Sequence, residues 1–203
     1  MKTKAIIFDV DGVLIRGKGD DGQYLWKQSI EKDLGISVQQ VQSFFKNYWG
    51  KIGAGELDTL VVLEEFLKSI NSDVKPTEFI NYWHRNDSHI NEPILNLVKK
   101  LKNTGFDLYL GTNQEKYRAG HLWENLDFKS YFKKMFASFE LGHEKPDLSF
   151  YKSIESQIDL KPEQILFIDD TKKHIDVAKS IGWQAIHHRD NDETLKYFTD
   201  QLL

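Results

Sequence analysis

Residues 4–15 read KAIIFDVDGVLI, an apolar, strand-like run broken by two aspartates, Asp9 and Asp11. Carboxylates are among the groups least often buried without a partner, because an ionised oxygen loses more hydration than an apolar pocket returns. Something must compensate them. Four further short apolar runs with polar or glycine breaks share this look: FDLYLGT at 106–112, KMFASFE at 134–140, QILFIDD at 164–170 and WQAIHH at 183–188. All five read as buried strands.

Helical patterns separate most of them. In NEPILNLVKKLKNTG, residues 91–105, the apolar Ile94, Leu97, Val98 and Leu101 recur at spacings of three and four; Pro93 suits a first turn and Gly105 an exit. Similar patterns occupy 147–158 and 171–182. The C-terminal half therefore alternates helix and strand, as an α/β fold with a doubly wound parallel sheet requires. Between 17 and 87 the pattern changes. No convincing strand appears there, and amphipathic segments at 24–35, 38–49 and 57–70 follow one another. The expected division is a core of residues 1–16 and 88–203, with 17–87 as a small helical insertion after the first strand. The entry RGKGDDG, residues 16–22, is rich in glycine and charge, which suits an exposed hinge or flap.

Composition narrows the partners. The net charge is −4, with no basic stripe to follow a phosphate backbone, so nucleic acid is not expected. The chain has no cysteine, which removes disulfides, thiolate zinc sites and a thiol nucleophile together. The run AIIF is too short for a signal-peptide core or a bilayer span, so a cytoplasmic protein with no membrane partner is expected.

In an open parallel sheet, ligands gather beyond the carboxyl ends of the strands. Four polar sites follow strand-like runs or lie between them: Asp9 and Asp11; Thr112 and Asn113; Lys145 in EKPD; and Asp169 and Asp170. An EF-hand loop also begins with alternating acids, but it needs an acid and a glycine where Val13 and Leu14 stand. Taken singly, Thr112 and Asn113 read equally well as a helix cap, Lys145 as a solvated lysine, and Asp169 and Asp170 as caps of the next helix.

The combination FDVDG, GTN, EKPD and IDD resembles the haloacid dehalogenase-like hydrolase superfamily, and the resemblance extends across the whole core. It implies a phosphatase that acts on a small phosphorylated metabolite, such as a sugar phosphate. Asp9 would attack phosphorus and form an aspartyl phosphate, Asp11 would handle protons, and Thr112, Asn113 and Lys145 would hold the phosphate. Two carboxylates about 4 Å apart repel by roughly 4 kcal/mol at an effective dielectric near 20, and four would meet here. Oxygen-rich, sulfur-free ligation suits Mg²⁺. The resemblance assigns it to Asp9, the backbone carbonyl of Asp11, and Asp170, with Asp169 assisting.

The resemblance also implies that the insertion is a helical cap. Phe44, Phe45, Tyr48, Trp49 and Trp83 are candidates to line a pocket, with Lys51 or Arg85 meeting a polar group. The glycine-rich WGKIGAGELD, residues 49–58, with Lys51, is the expected specificity contact. His174 departs from the family pattern, which has Asp or Asn there; it would hydrogen-bond Asp170 or a metal-bound water, or play no part. His187 and His188 adjoin on a strand, face opposite ways and read as structural. Dehalogenase or phosphomutase chemistry, or a weakly catalytic phosphate-binding protein, stays open, although a halide leaving group would give Asp11 little to do. A signalling receiver domain fits less well, since it lacks an acidic pair after its lysine.

Overall fold

The computed structural model describes residues 3–17, 19 and 24–202, so most of the expected hinge RGKGDDG lies outside the described residues. Five parallel strands form the sheet: β1 (Ala5–Phe8), β2 (Asp107–Thr112), β3 (Lys134–Ala137), β4 (Ile165–Asp169) and β5 (Gln184–His187). Their order is β3-β2-β1-β4-β5, which places β1 at the centre with Phe8 paired to Leu110 on one side and Ile168 on the other. The doubly wound parallel sheet is the fold class expected from the sequence.

Alternation along the strands divides the core. Ile6, Phe8, Leu108, Leu110, Leu166 and Ile168 face one layer, where α5 (Glu92–Lys102) supplies Ile94, Leu97, Val98 and Leu101. The last helix, α10 (Asn191–Gln201), adds Phe198 to that layer. Ile7, Ile165 and Phe167 face the other, against Phe150, Tyr151 and Ile154 of α8 (Leu148–Glu155) and Ile175 and Ala178 of α9 (Lys172–Ser180). Both faces of the central strand are thus buried, which is why it reads as an unbroken apolar run.

The strand-like stretch 4–15 is strand only as far as Phe8. The N–H groups of Val13, Leu14 and Ile15 all donate to the Val10 carbonyl, and Gly12 N donates to Ile15 O. This turn takes Val13, Leu14 and Ile15 back into the core and leaves Asp9 and Asp11 at the sheet's carboxyl end. Gly12 sits at φ +85°, and a Cβ there would meet Asp170 Oδ2 at 2.2 Å. Only glycine permits this approach.

Residues 24–87 are helical where described. A 3₁₀ turn (Leu25–Lys27) and α1 (Ile30–Leu34) divide the segment expected as one helix, followed by α2 (Val38–Gly53), α3 (Thr59–Ser69) and α4 (Pro76–Asn86). Ser37 and Gln40 close a capping box that starts α2, and Asp58 caps α3 by accepting from Leu60 N. These helices have an apolar core of their own, with Trp26, Phe44, Leu63, Phe79 and Trp83 buried in it. The run expected as strand at 134–140 ends at Ala137 and turns into α7 (Ser138–Leu141). Ahead of it, α6 (Lys116–Gly120) continues into a π-helical turn, His121–Asn125. Among the described residues, no helix is long and apolar enough to cross a membrane.

Candidate active site

At the carboxyl end of the sheet, a cavity of about 440 Å³ is lined by Asp9, Asp11, Thr112, Asn113, Lys145 and Asp170, together with His174. Residues spread over more than 160 positions meet there because β1, β2 and β4 are neighbours whose ends coincide. Asp169 lies beneath it, fully buried. Lys145 Nζ bridges the two deepest acids, 2.8 Å from Asp9 Oδ1 and 2.6 Å from Asp169 Oδ2. The Asp9 Oδ1 atom also accepts from Val10 N at 2.7 Å.

Burial pushes the Asp9 carboxyl well up from its ordinary range; Lys145 opposes this and the neighbouring Asp169 adds to it. Asp169 is shifted the other way: burial raises it, but the Lys145 ammonium and the His174 imidazole outweigh that and hold it low. Lys145 stays charged because the attraction of both acids exceeds its own desolvation. Two buried carboxylates therefore share one lysine.

Asp9, Asp169 and His174 offer one ligand atom each within 4.8 Å of one another, a grouping that can hold a metal ion. The Asp170 side chain accepts from Thr171 Oγ1 at 3.2 Å and lies against Gly12. His174 Nδ1 stands 2.9 and 3.1 Å from the two oxygens of Asp169, so its partner is Asp169 and not Asp170. His187 Nε2 meets the Asp170 carbonyl and His188 Nδ1 meets Thr194 Oγ1, two separate structural contacts.

The Asn113 side chain holds the lysine loop: Nδ2 donates to Lys145 O at 2.9 Å, and Lys145 N donates to Oδ1 at 2.8 Å. Its side-chain amide is thereby committed to positioning Lys145. Asp11 is held from α6 and the residue pair before it. Gln114 Nε2 donates to Oδ2 at 2.5 Å, and Arg118 Nη2 donates to Oδ1 at 2.7 Å. Gln114 lies before the N-cap of α6 and Arg118 within it, so no helical spacing in QEKYR pairs them and the fold alone brings both to Asp11.

Arg118 is the hub of a buried charged network. Its Nη1 donates to Asp87 O at 3.0 Å and lies 3.4 Å from Asp87 Oδ2, which also accepts from Trp83 Nε1 at 3.1 Å. Burial raises Asp87 to about 6; Arg118 opposes the shift and Asp11 adds to it. Beside it, Glu115 is fully buried and accepts from Thr59 Oγ1 at 2.6 Å and from the N–H groups of Tyr117 and Arg118. Burial would raise its carboxyl, but the His84 imidazole 3.5 Å away and hydrogen bonds from Thr59, Tyr117 and Arg118 hold it below the usual range. Thr59, Trp83 and His84 belong to α3 and α4, so the network stitches the helical segment to the sheet.

The glycine-rich loop after α2 serves the same junction. Ser138 Oγ donates to Gly53 O at 2.6 Å. A Cβ on Gly53 would meet Glu144 Oε1 at 2.2 Å, and one on Gly55, at φ +75°, would meet the Phe139 carbonyl oxygen at 2.2 Å. These glycines permit backbone docking onto the core. Lys51 is exposed and lines neither this cavity nor the one next to it. Arg85 is also exposed and lies beside Asp33 and Tyr82 on another surface. Phe44 and Tyr48 pack with the core of the helical segment. Phe45, Trp49 and Trp83 line the adjoining cavity, together with Trp26 and Lys27, which the sequence did not single out.

A family model described as haloacid dehalogenase-like hydrolase matches residues 3–182. The chain is 25% identical over 197 residues to a sesquiterpene phosphatase of Aspergillus oryzae, covering 93% of this chain and 91% of that protein. It is 24% identical over 192 residues to a phosphorylated carbohydrates phosphatase of Thermotoga maritima, covering 91% and 84%. Its fold is similar to that of a family enzyme from Bacteroides thetaiotaomicron solved as a magnesium complex, with a TM-score of 0.80 and 19% identity over 97% of this chain and all of that one. With four motif sites converging on one cavity and a family match over most of its length, the chain belongs to the haloacid dehalogenase-like hydrolases.

Proposed function

We propose that the protein is a magnesium-dependent phosphatase that hydrolyses a small phosphoric monoester through an aspartyl phosphate on Asp9. The observation that carries this reading is the convergence of Asp9, Asp11, Thr112 and Lys145 on one cavity, with Lys145 Nζ 2.8 Å from the Asp9 carboxylate. The names of the two phosphatases to which the chain is similar agree with it.

The donor set fits a hard divalent cation, since the Asp9 and Asp169 carboxylates share a single lysine and Asp170 stands at the cavity wall. Asp9 and Asp170, with the Asp11 carbonyl and Asp169, would hold Mg²⁺, which when bound would neutralise acidic charge and polarise the phosphoryl oxygens. Asp9 attacks phosphorus in line, and the P–O bond to the alcohol breaks. The Thr112 hydroxyl and the Lys145 ammonium offset charge on the phosphoryl oxygens. Asp11 gives a proton to the leaving oxygen and later takes one from the water that cleaves the aspartyl phosphate. Arg118 and Gln114 each donate to one of its oxygens, and the carboxylate's remaining lone-pair sites leave room for that proton. The helical segment 17–87 acts as the cap that screens this chemistry from water. A cytoplasmic setting agrees with the reading.

The test is phosphate release from a panel of monoesters with added magnesium. The reading expects turnover by the intact protein and none by Asp9→Asn; activity surviving in that variant would remove the nucleophile.

A further inference from the structure

A second cavity, of about 410 Å³, opens from the first and shares Asp11, Gly17, Tyr24 and Asn113 with it. Its walls are aromatic. Trp26, Phe45 and Trp83 pack on one another, with ring centroids 5.7 Å apart for Trp26 and Trp83 and 5.0 Å for Phe45 and Trp83. Trp49 continues the wall at 6.1 Å from Phe45. The volume lies in the range of small-molecule sites.

Most of the donors around it are already engaged, the Lys27 ammonium only through ring contacts. Arg118 is committed to Asp11 and Asp87, the Trp83 indole to Asp87, and the Gln114 amide to Asp11 and Thr112. The Asn113 amide is tied to Lys145, and the Lys27 ammonium stands 4.6 Å from the Tyr24 ring centroid and 5.3 Å from that of Trp26. Such a lining, mostly aromatic and with few free donors, suits an apolar body. A hexose, whose several hydroxyls need donors as well as acceptors, would leave most of them unpaired, and unpaired polar groups in a site are strongly discriminated against.

We infer, resting on the phosphatase reading above, that this cavity seats the leaving group, and that the substrate is the phosphate monoester of an apolar unsaturated alcohol, aromatic or isoprenoid, rather than of a sugar. The ester oxygen then lies at the shared residues, beside Asp11, where its proton is supplied.

The experiment compares kcat/KM of the magnesium-supplied protein for naphthylmethyl phosphate, geranyl phosphate, a hexose phosphate and acetyl phosphate. At least one apolar ester should exceed the hexose phosphate roughly tenfold or more. The naphthylmethyl and geranyl arms separate an aromatic from an isoprenoid body. Trp49→Ala should lower the ratio of the preferred apolar ester to acetyl phosphate about fivefold or more. Equal or better use of the hexose phosphate overturns the inference and leaves the phosphatase reading intact. Failure on every one of these compounds, the acyl phosphate included, counts against the phosphatase reading; the subsite is then judged by saturable quenching of tryptophan fluorescence by naphthylmethanol in the unmodified protein. Absence of that quenching overturns the subsite, whether or not the Trp49 variant folds.

Discussion

Arg118 Nη2 lies 2.7 Å from Asp11 Oδ1, reaching across 107 residues of sequence with a side chain only 1% exposed. The same guanidinium meets Asp87 at the end of α4, so one buried cation ties the proton-handling aspartate to the helical segment. Removing one partner of a buried pair leaves the others with desolvated charge. Arg118→Met should therefore destabilise the protein by roughly 3–5 kcal/mol. Arg118→Lys keeps the charge but not the fork that serves two acids at once, and should recover only part of the loss. Urea denaturation measures both; a loss below about 1 kcal/mol in the Met variant, the worth of an exposed pair, would refute this role.

The pH dependence of stability follows from Asp87. Its folded-state value of about 6 stands above the ordinary 3.8, so between these values the folded chain holds a proton that the unfolded chain has released. Stability from this group is thus present at low pH and falls as pH rises from about 4 to about 6, by up to about 3 kcal/mol. The groups around Asp87 are Arg118, Asp11, Lys27 and the Trp83 indole. Subtracting the stability curve of Asp87→Asn from that of the intact protein isolates the effect; parallel curves across this window would contradict it.

Gly55 and Gly35 provide a matched pair. Both have positive φ, +75° and +67°, but a Cβ at Gly35 meets nothing within 4 Å, whereas one at Gly55 meets the Phe139 carbonyl oxygen at 2.2 Å. Gly35→Ala should cost about 1–2 kcal/mol, the backbone penalty alone. Gly55→Ala must in addition push the α2–α3 loop off the core, and should lower the melting temperature further. Equal melting temperatures would mean that this loop does not need its close seat.

His174 bears on metal affinity through Asp169, whose two oxygens it meets at 2.9 and 3.1 Å. Losing such an orienting partner typically weakens metal binding 10- to 100-fold. His174→Ala should weaken magnesium binding by about tenfold, and His174→Asn, which keeps a donor, by less. The magnesium-dependent rise in melting temperature reads this out, and an unchanged rise in the Ala variant would leave His174 without this role.

These contacts mark the boundary of what the sequence discloses. β1 and β4 were legible because every residue of each is buried, and three of the four motif sites because polar residues at strand ends stand out against apolar runs. The central sheet follows from local pattern plus the handedness of parallel connections. Arg118, Gln114 and Lys27 were not legible in the same way: each looks like an ordinary helix or turn residue until the fold carries it to Asp11 or to the aromatic wall. The glycines at 53 and 55 showed that a loop was special but not for what, and only the approach of Ser138, Phe139 and Glu144 reveals docking. Aromatic residues on α2 and α4 divide between core and cavity by a rotation of the helix that spacing alone does not set.

The claim on which the account depends is that Asp9 carries the phosphoryl group during turnover. The direct measurement is mass spectrometry of peptides from protein quenched in acid while hydrolysing a phosphate ester with magnesium. The account predicts one phosphoryl adduct, on the peptide containing Asp9, removed by hydroxylamine and absent from Asp9→Asn. Steady hydrolysis with no adduct there, or with the adduct on another residue, would contradict it.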